Sequence, residues 1–337
     1  MKKEIEGYLK HCKENAINEG KLNYKLIKEY ISILPEFYGN DIEFRLLFDW
    51  HFSPQGRQLQ SHETHELFEF QRMLAATLGQ HCFDLDYQFW QFFIFHAMVN
   101  VKGKSLLEIG GSLPNEMIFD LFGVESYVNT ESPDYIEADN EKKYTDRHGK
   151  HDRRTTIYLN AEDIGQQLAA ESIDLIFSVA CFEHIYDLEV ALRACFSTQK
   201  KGGLLYSFFA PIYSYLTDGH HDVIPKHSAF PETPWGLHLL KNSDQRKFLQ
   251  DANIVDPKEI QEFLGAVNFD RIPNRLYYED YSRILTESPY YVARLDDAAP
   301  NYNISKQYGS EAERVRKSNP LVKNLHSQGF RVILQKI

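Results

Sequence analysis

The chain has 337 residues, 37 Lys and Arg against 48 Asp and Glu, and a formal net charge of −11. With 43% hydrophobic and 14% aromatic residues there is ample material for a core, which excludes global disorder. The acidic balance argues against a nucleic-acid partner, because phosphate binding needs a surplus of Lys and Arg.

The length fits two domains, or one domain with large decorations. Cys12, Cys82, Cys181 and Cys195 form no CxxC pair and no metal-ligand spacing. They read as free thiols in a reducing compartment. The N-terminal residues break their apolar positions with charge, unlike a signal peptide. The most apolar run, Phe89 to Val101, contains Gln91, His96 and Asn100 and falls short of the roughly 20 residues of a membrane span. A soluble cytoplasmic protein with no membrane partner is expected.

Residues 1–100 read as an α-helical extension. Ile5, Tyr8, Leu9, Cys12 and Ala16 recur at helical spacing, and so do Leu26, Ile27, Tyr30 and Ile31 before Pro35. Further helices are expected through Leu67–Leu78 and Phe89–Met98, with Phe89, Trp90, Phe92, Phe93 and Phe95 as core under a sheet. The pair His62 and His65 lies three residues apart, unlike a zinc HExxH helix, and reads as a helix start.

Residues 101–337 read as one α/β domain. Apolar runs at Ser105–Ile109, Tyr127–Asn129, Thr156–Leu159, Leu175–Val179 and Leu204–Phe209 alternate with helical stretches at 114–122, 162–170 and 187–198. This rhythm predicts a parallel sheet with helices on both faces. Two insertions interrupt it. Residues 136–154 are dense in charge and read as a mobile lid. Residues 210–240 are rich in His, Pro and aromatics, which suits a loop over a site. Helices are expected near 243–252 and 257–264, and a closing strand at Phe330–Ile337.

The turn Glu108-Ile109-Gly110-Gly111-Ser112 follows the first strand, and small residues there let the backbone approach a ligand. Glu131 follows roughly 20 residues later, where a ribose hydroxyl would sit. The bland alternative is a tight turn that holds two glycines.

A longer pattern joins these features. Ser172-Ile173-Asp174-Leu175-Ile176-Phe177-Ser178 runs on through Glu183-His184-Ile185, and Lys201-Gly202-Gly203-Leu204-Leu205 follows. In this order the segments resemble the class I S-adenosylmethionine-dependent methyltransferases over residues 102–210. Ser112 stands where the second glycine is usual, and Lys201 where proline is common. The resemblance implies a Rossmann-like methyltransferase sheet and S-adenosylmethionine as cofactor. It implies cofactor contacts from Glu108, Gly110, Gly111, Ser112, Glu131, Ser178 and the stretch Asn160-Ala161-Glu162.

Methyl transfer from a sulfonium is a displacement in which the protein mainly positions the acceptor. An alcohol acceptor also benefits from a general base. His184 follows the fourth strand, at the sheet edge where open α/β folds bind ligands, and is the first candidate; helix capping is its bland alternative. His220 and His221, on the loop after the fifth strand, come second. Tyr213, Tyr215, Trp235 and His238 are expected to line the acceptor pocket. His220, His221, Asp222, His227 and His238 also carry ligand chemistry, but a pocket without metal is the favoured reading. Ala180 replaces the first ligand of an E-x-x-E-H metal pattern. Cys181 has no neighbouring base in sequence to make it a nucleophile.

The sequence thus points to an O-methyltransferase acting on a small-molecule hydroxyl, on a sugar or other secondary metabolite. N-methylation of an amine and a non-catalytic binding module stay open. A dehydrogenase is disfavoured because G-x-G-x-x-G is absent.

Overall fold

The computed structural model describes residues 85–133, 151–216, 236–267, 274–298 and 309–337, with a few isolated positions between 11 and 32. Helix α1 spans Leu85–Val99. It is apolar around its circumference, as expected of a helix covered on several sides. Strands β1 (Ser105–Ile109), β2 (Ser126–Glu131), β3 (Arg154–Tyr158), β4 (Ile173–Val179) and β5 (Gln199–Phe209) follow. Helix α2 covers Leu188–Thr198, and its Asp187 cap accepts from the Val190 N–H at 3.0 Å. Beyond β5 come α3 (Asn242–Asp251), α4 (Pro257–Val267), α5 (Tyr278–Glu287), β6 (Tyr291–Ala298), α6 (Gly309–Ser318) and β7 (Gly329–Gln335).

The seven strands form one sheet in the order β3-β2-β1-β4-β5-β7-β6. Strands β1 to β5 pair in parallel, while β7 runs antiparallel to both β5 and β6. All five residues of β1 are buried, which suits Leu106, Leu107 and Ile109, while Ser105 and Glu108 are held there by hydrogen bonds. Successive side chains of the central strands point to opposite faces. Phe177 and Tyr206 meet α1 on one face, with Phe92 5.1 Å and Phe95 5.6 Å from the Phe177 ring. Ile176 and Leu205 meet α2 and α5 on the other, through Leu188, Ala191, Tyr281 and Leu285. Helix α1 therefore belongs to the sheet's own core, and the sheet unit reaches back past residue 100 to include it.

Several expectations change in detail. The stretch 114–122 forms a π-helical turn, Glu116–Leu121, and 162–170 a 3-10 helix, Ala161–Gln166. Near the N-terminus, Ile17–Asn18 pairs antiparallel with Lys21–Leu22, where only helix was expected. Residues 134–150 lie outside the described residues. Residues 151–154, assigned by sequence to the same insertion, instead lead into β3, and Arg153 donates to the Val124 carbonyl at 3.2 Å.

A second, smaller core lies beyond β5. Tyr213, Tyr215, Leu216, Leu237, Leu249, Ile260, Phe263, Val315 and Leu325 pack together there. Among the described residues no helix is long and apolar enough to cross a membrane.

Candidate active site

The carboxyl ends of β1, β2, β3 and β4 converge on one edge of the sheet. The Gly110 N–H donates to the Thr130 carbonyl at 3.1 Å, and the Leu159 N–H to the Glu131 carbonyl at 3.0 Å. Gly110 has a φ of +67°, a left-handed conformation that glycine adopts freely. A Cβ there would also run into the Cys181 sulfur. The turns after β1 and β4 are thus in van der Waals contact, and only glycine leaves room for it.

Glu108 does not face the open edge. It is buried, and its carboxylate lies against Gly111, where a Cβ would collide with it. It accepts from the Leu113 N–H at 3.2 Å and from the Tyr127 hydroxyl. Burial raises its pKa from the ordinary 4.5 to about 7, against the pull of the Tyr127 and Leu113 hydrogen bonds and the Arg154 charge. Burial and the Glu108 carboxylate in turn push Tyr127 well above the phenol range. Glu108 therefore shapes the glycine turn from beneath.

Arg154 holds the same turn from outside. Its guanidinium donates to the Leu113 carbonyl at 2.8 Å, to Asn115 Oδ1 at 3.1 Å and to the Ser112 hydroxyl. It also lies 4.9 Å from the centre of the Tyr127 ring. Sequence reasoning missed this residue, because it closes a charged run with no motif around it.

Glu131 ends β2, partly exposed at the converging edge. The charges of Glu183, Glu131 and Glu162 all act to raise the Cys181 thiol pKa, after burial as the leading cause. The thiol stays protonated, which agrees with the absence of a nucleophilic role. Asn160 follows β3, and its Oδ1 accepts from the Ser132 hydroxyl at 2.8 Å; a second lone pair is left on that oxygen. Ala161 is buried, and Glu162 Oε1 accepts from the Asp187 N–H at 2.8 Å, docking the start of α2. Ser178 is fully buried and donates to the Ile109 carbonyl at 3.1 Å, so it staples β4 to β1 and does not reach the edge.

His184 sits partly exposed in the turn after β4, and its N–H donates to the Cys181 carbonyl at 2.8 Å. That turn is gripped by Asn274, a residue for which the sequence carries no signal. Asn274 Nδ2 donates to the carbonyls of Phe182 at 3.0 Å and Ile185 at 2.8 Å. Its backbone N–H donates to the Glu183 carbonyl at 2.8 Å, and its Oδ1 accepts from the Tyr281 hydroxyl at 2.5 Å.

The expected acceptor wall is placed differently. Tyr213, Tyr215 and His238 are buried in the second core. The Tyr213 hydroxyl donates to the His238 carbonyl at 2.9 Å, and His238 Nε2 donates back to the Tyr213 carbonyl at 2.9 Å. Burial pushes the Tyr213 hydroxyl up to about 12. Gln328 Nε2 donates to the Tyr215 hydroxyl at 3.0 Å. Their polar atoms thus secure the loop after β5 to its surroundings. His220, His221 and Trp235 lie outside the described residues.

A parallel sheet with a glycine turn after its first strand and an acid closing its second defines an α/β domain for a nucleoside-bearing cofactor. Residues 119–207 match the family model described as a methyltransferase domain. The chain thus carries a methyltransferase domain, and its cofactor is S-adenosylmethionine. No curated protein matches the chain. Similar solved structures include an S-adenosylmethionine dependent methyltransferase from Mesorhizobium loti, 12% identical over 71% of this chain and 93% of that one, with a TM-score of 0.40. Phosphoethanolamine N-methyltransferase 2 from Haemonchus contortus is 13% identical over 73% of this chain and 52% of that one, at a TM-score of 0.40. Geranyl diphosphate C-methyltransferase from Streptomyces coelicolor A3(2) is 11% identical over 80% and 86%, also at 0.40.

The residues present fit the cofactor. A partly exposed carboxylate at the end of β2 suits a pair of ribose hydroxyls, and the Asn160 amide suits a purine edge.

Proposed function

We propose that this methyltransferase transfers the methyl group to a hydroxyl of a small-molecule acceptor. The observation that carries the reading is the convergence of the Gly110 turn, Glu131, Asn160 and the His184 turn on one sheet edge. In this reading Glu131 binds the ribose hydroxyls, and Asn160 with Ala161 and Glu162 borders the adenine. Gly110, Gly111 and Ser112 give the methionine end close backbone contact. Glu108 and Ser178 act one layer below, by fixing the turn and the strand that present these groups.

S-adenosylmethionine supplies an activated methyl group when bound. The protein's task is then to hold the acceptor oxygen in line, exclude water and take the proton. His184 is the base. A neutral imidazole has a ring nitrogen that can accept the proton. The Asn274 clamp fixes the turn that carries it, so the imidazole is presented from a rigid support. The free thiols Cys181 and Cys195 suit a reducing, cytoplasmic setting.

The test is incubation of the purified protein with S-adenosylmethionine and small-molecule pools, read by mass spectrometry. Gain of one methyl group on a hydroxyl-bearing compound is the expected result. Gain on amines alone would replace O-methylation with N-methylation.

A further inference from the structure

Helices α3 and α4, with Arg275, line an open surface groove of about 600 Å³ that none of the roles above uses. It is lined by Arg246 and Arg275, by the polar residues Asn242, Ser243 and Gln261, and by Leu264 and Gly265. No carboxylate appears among the described residues that line it. In a chain of net charge −11 this is a local reversal of sign. Asp244, the acid in the first turn of α3, is held by the Ser318 hydroxyl at 2.6 Å.

The groove connects to the site through one stretch of chain. Arg275 directly follows Asn274, whose N–H and amide bind the carbonyls of Phe182, Glu183 and Ile185 around His184. Arg275 has a φ of +58°, a conformation uncommon for a long side chain. Such backbone persists only where its surroundings fix it, and it concentrates at functional sites. Here Asn274 is bolted on one side, and the Leu276 N–H donates to Asn274 Oδ1 at 3.3 Å on the other. The Arg275 charge also acts on Tyr213, on the loop after β5.

We infer that this groove is an oxyanion subsite, in which Arg246 and Arg275 hold a phosphoryl or carboxyl group of the methyl acceptor. Guanidinium groups match such oxyanions through paired N–H donors, and the amides and hydroxyl supply further donors without charge. The assignment to the acceptor rests on the methyltransferase reading above; the anion site itself does not.

The experiment titrates the full chain with inorganic phosphate and, separately, with acetate, and measures S-adenosylmethionine affinity in the same preparations. One of the two anions should bind, and which one does separates phosphoryl from carboxyl. Arg246→Gln and Arg275→Gln should each weaken that anion roughly tenfold or more, with cofactor affinity unchanged. Gln261→Glu places a carboxylate in the groove without removing either arginine and should abolish anion binding. Thermal unfolding confirms that each variant is folded. Absence of binding by both anions overturns the site, and so does binding that Gln261→Glu leaves intact. A wild-type chain that binds the anion but not S-adenosylmethionine would keep the site and remove the cofactor reading. For the acceptor, methyl gain should fall in the metabolite fraction retained by an anion exchanger. Gain confined to neutral and cationic fractions would overturn the assignment to the acceptor.

Discussion

Asn274 Nδ2 donates to the Ile185 carbonyl at 2.8 Å, across a sequence separation of 89 residues. The same amide reaches the Phe182 carbonyl, and Tyr281 on α5 holds the other side of it. The turn that carries His184 is therefore fixed by a segment far along the chain. Helix α5, packed on the sheet, anchors that segment.

Asn274→Ala should destabilise the fold by about 1–3 kcal/mol, because it leaves turn carbonyls without their donors. Turnover should fall by more than cofactor affinity does, since the turn carries the base. Asn274→Asp keeps the acceptor for Tyr281 but not the donors, so it should not restore turnover. Steady-state kinetics beside cofactor titration checks this; parallel losses in both would show a purely structural role.

Glu108 gives a pH dependence of defined sign. Its folded pKa is about 7 against the ordinary 4.5, so between these values the folded state holds a proton that the unfolded state releases. The stability from this group is fully present below about 4.5 and is lost as pH rises through about 7. At about 1.4 kcal/mol per unit, the loss across the window is on the order of 3 kcal/mol. Glu108→Gln removes the titration, so the decline of stability with pH in denaturant unfolding should flatten. An unchanged slope would assign it to another group.

Much of the sheet was legible in the chain because its strands are buried on both faces. Ser105–Ile109 is apolar enough to be read with the bounds the structure gives. Strand β6 was not legible. It is an edge strand that carries Arg294, Asp296 and Asp297, with an irregular register between Val292 and Arg294. The site divides in the same way. Glu108, Glu131 and His184 stand at strand ends within a recognisable order of motifs. Asn274 and Arg154 act through partners 89 and about 40 residues away, and no local pattern marks them. Tyr213 and His238 resembled an acceptor wall because an aromatic, histidine-rich loop reads alike whether it lines a pocket or fills a core. Only their mutual hydrogen bonds and burial separate the two.

Arg154→Met keeps a long apolar stem but removes three hydrogen bonds to the glycine turn and the guanidinium over Tyr127. The turn should loosen, with a stability loss of about 1.5–3 kcal/mol. Hydrogen exchange at the amides of 110–113 and 115 should rise before global unfolding does. Unchanged protection there would remove Arg154 from the support of the turn.

His184→Ala should lower turnover by roughly 10²- to 10⁴-fold while cofactor affinity stays nearly constant. A loss confined to His220→Ala or His221→Ala, with His184→Ala near normal, would move the base to the loop after β5.

Calorimetric titration of the wild type and of Glu131→Ala with S-adenosylmethionine tests most directly whether the cofactor lies along the carboxyl edge of the sheet. The wild type should bind, and the substitution should weaken binding by about 1.5–3 kcal/mol, the loss expected for hydrogen bonds to a charged group. Equal affinity in the two proteins, or none in the wild type, would contradict that placement.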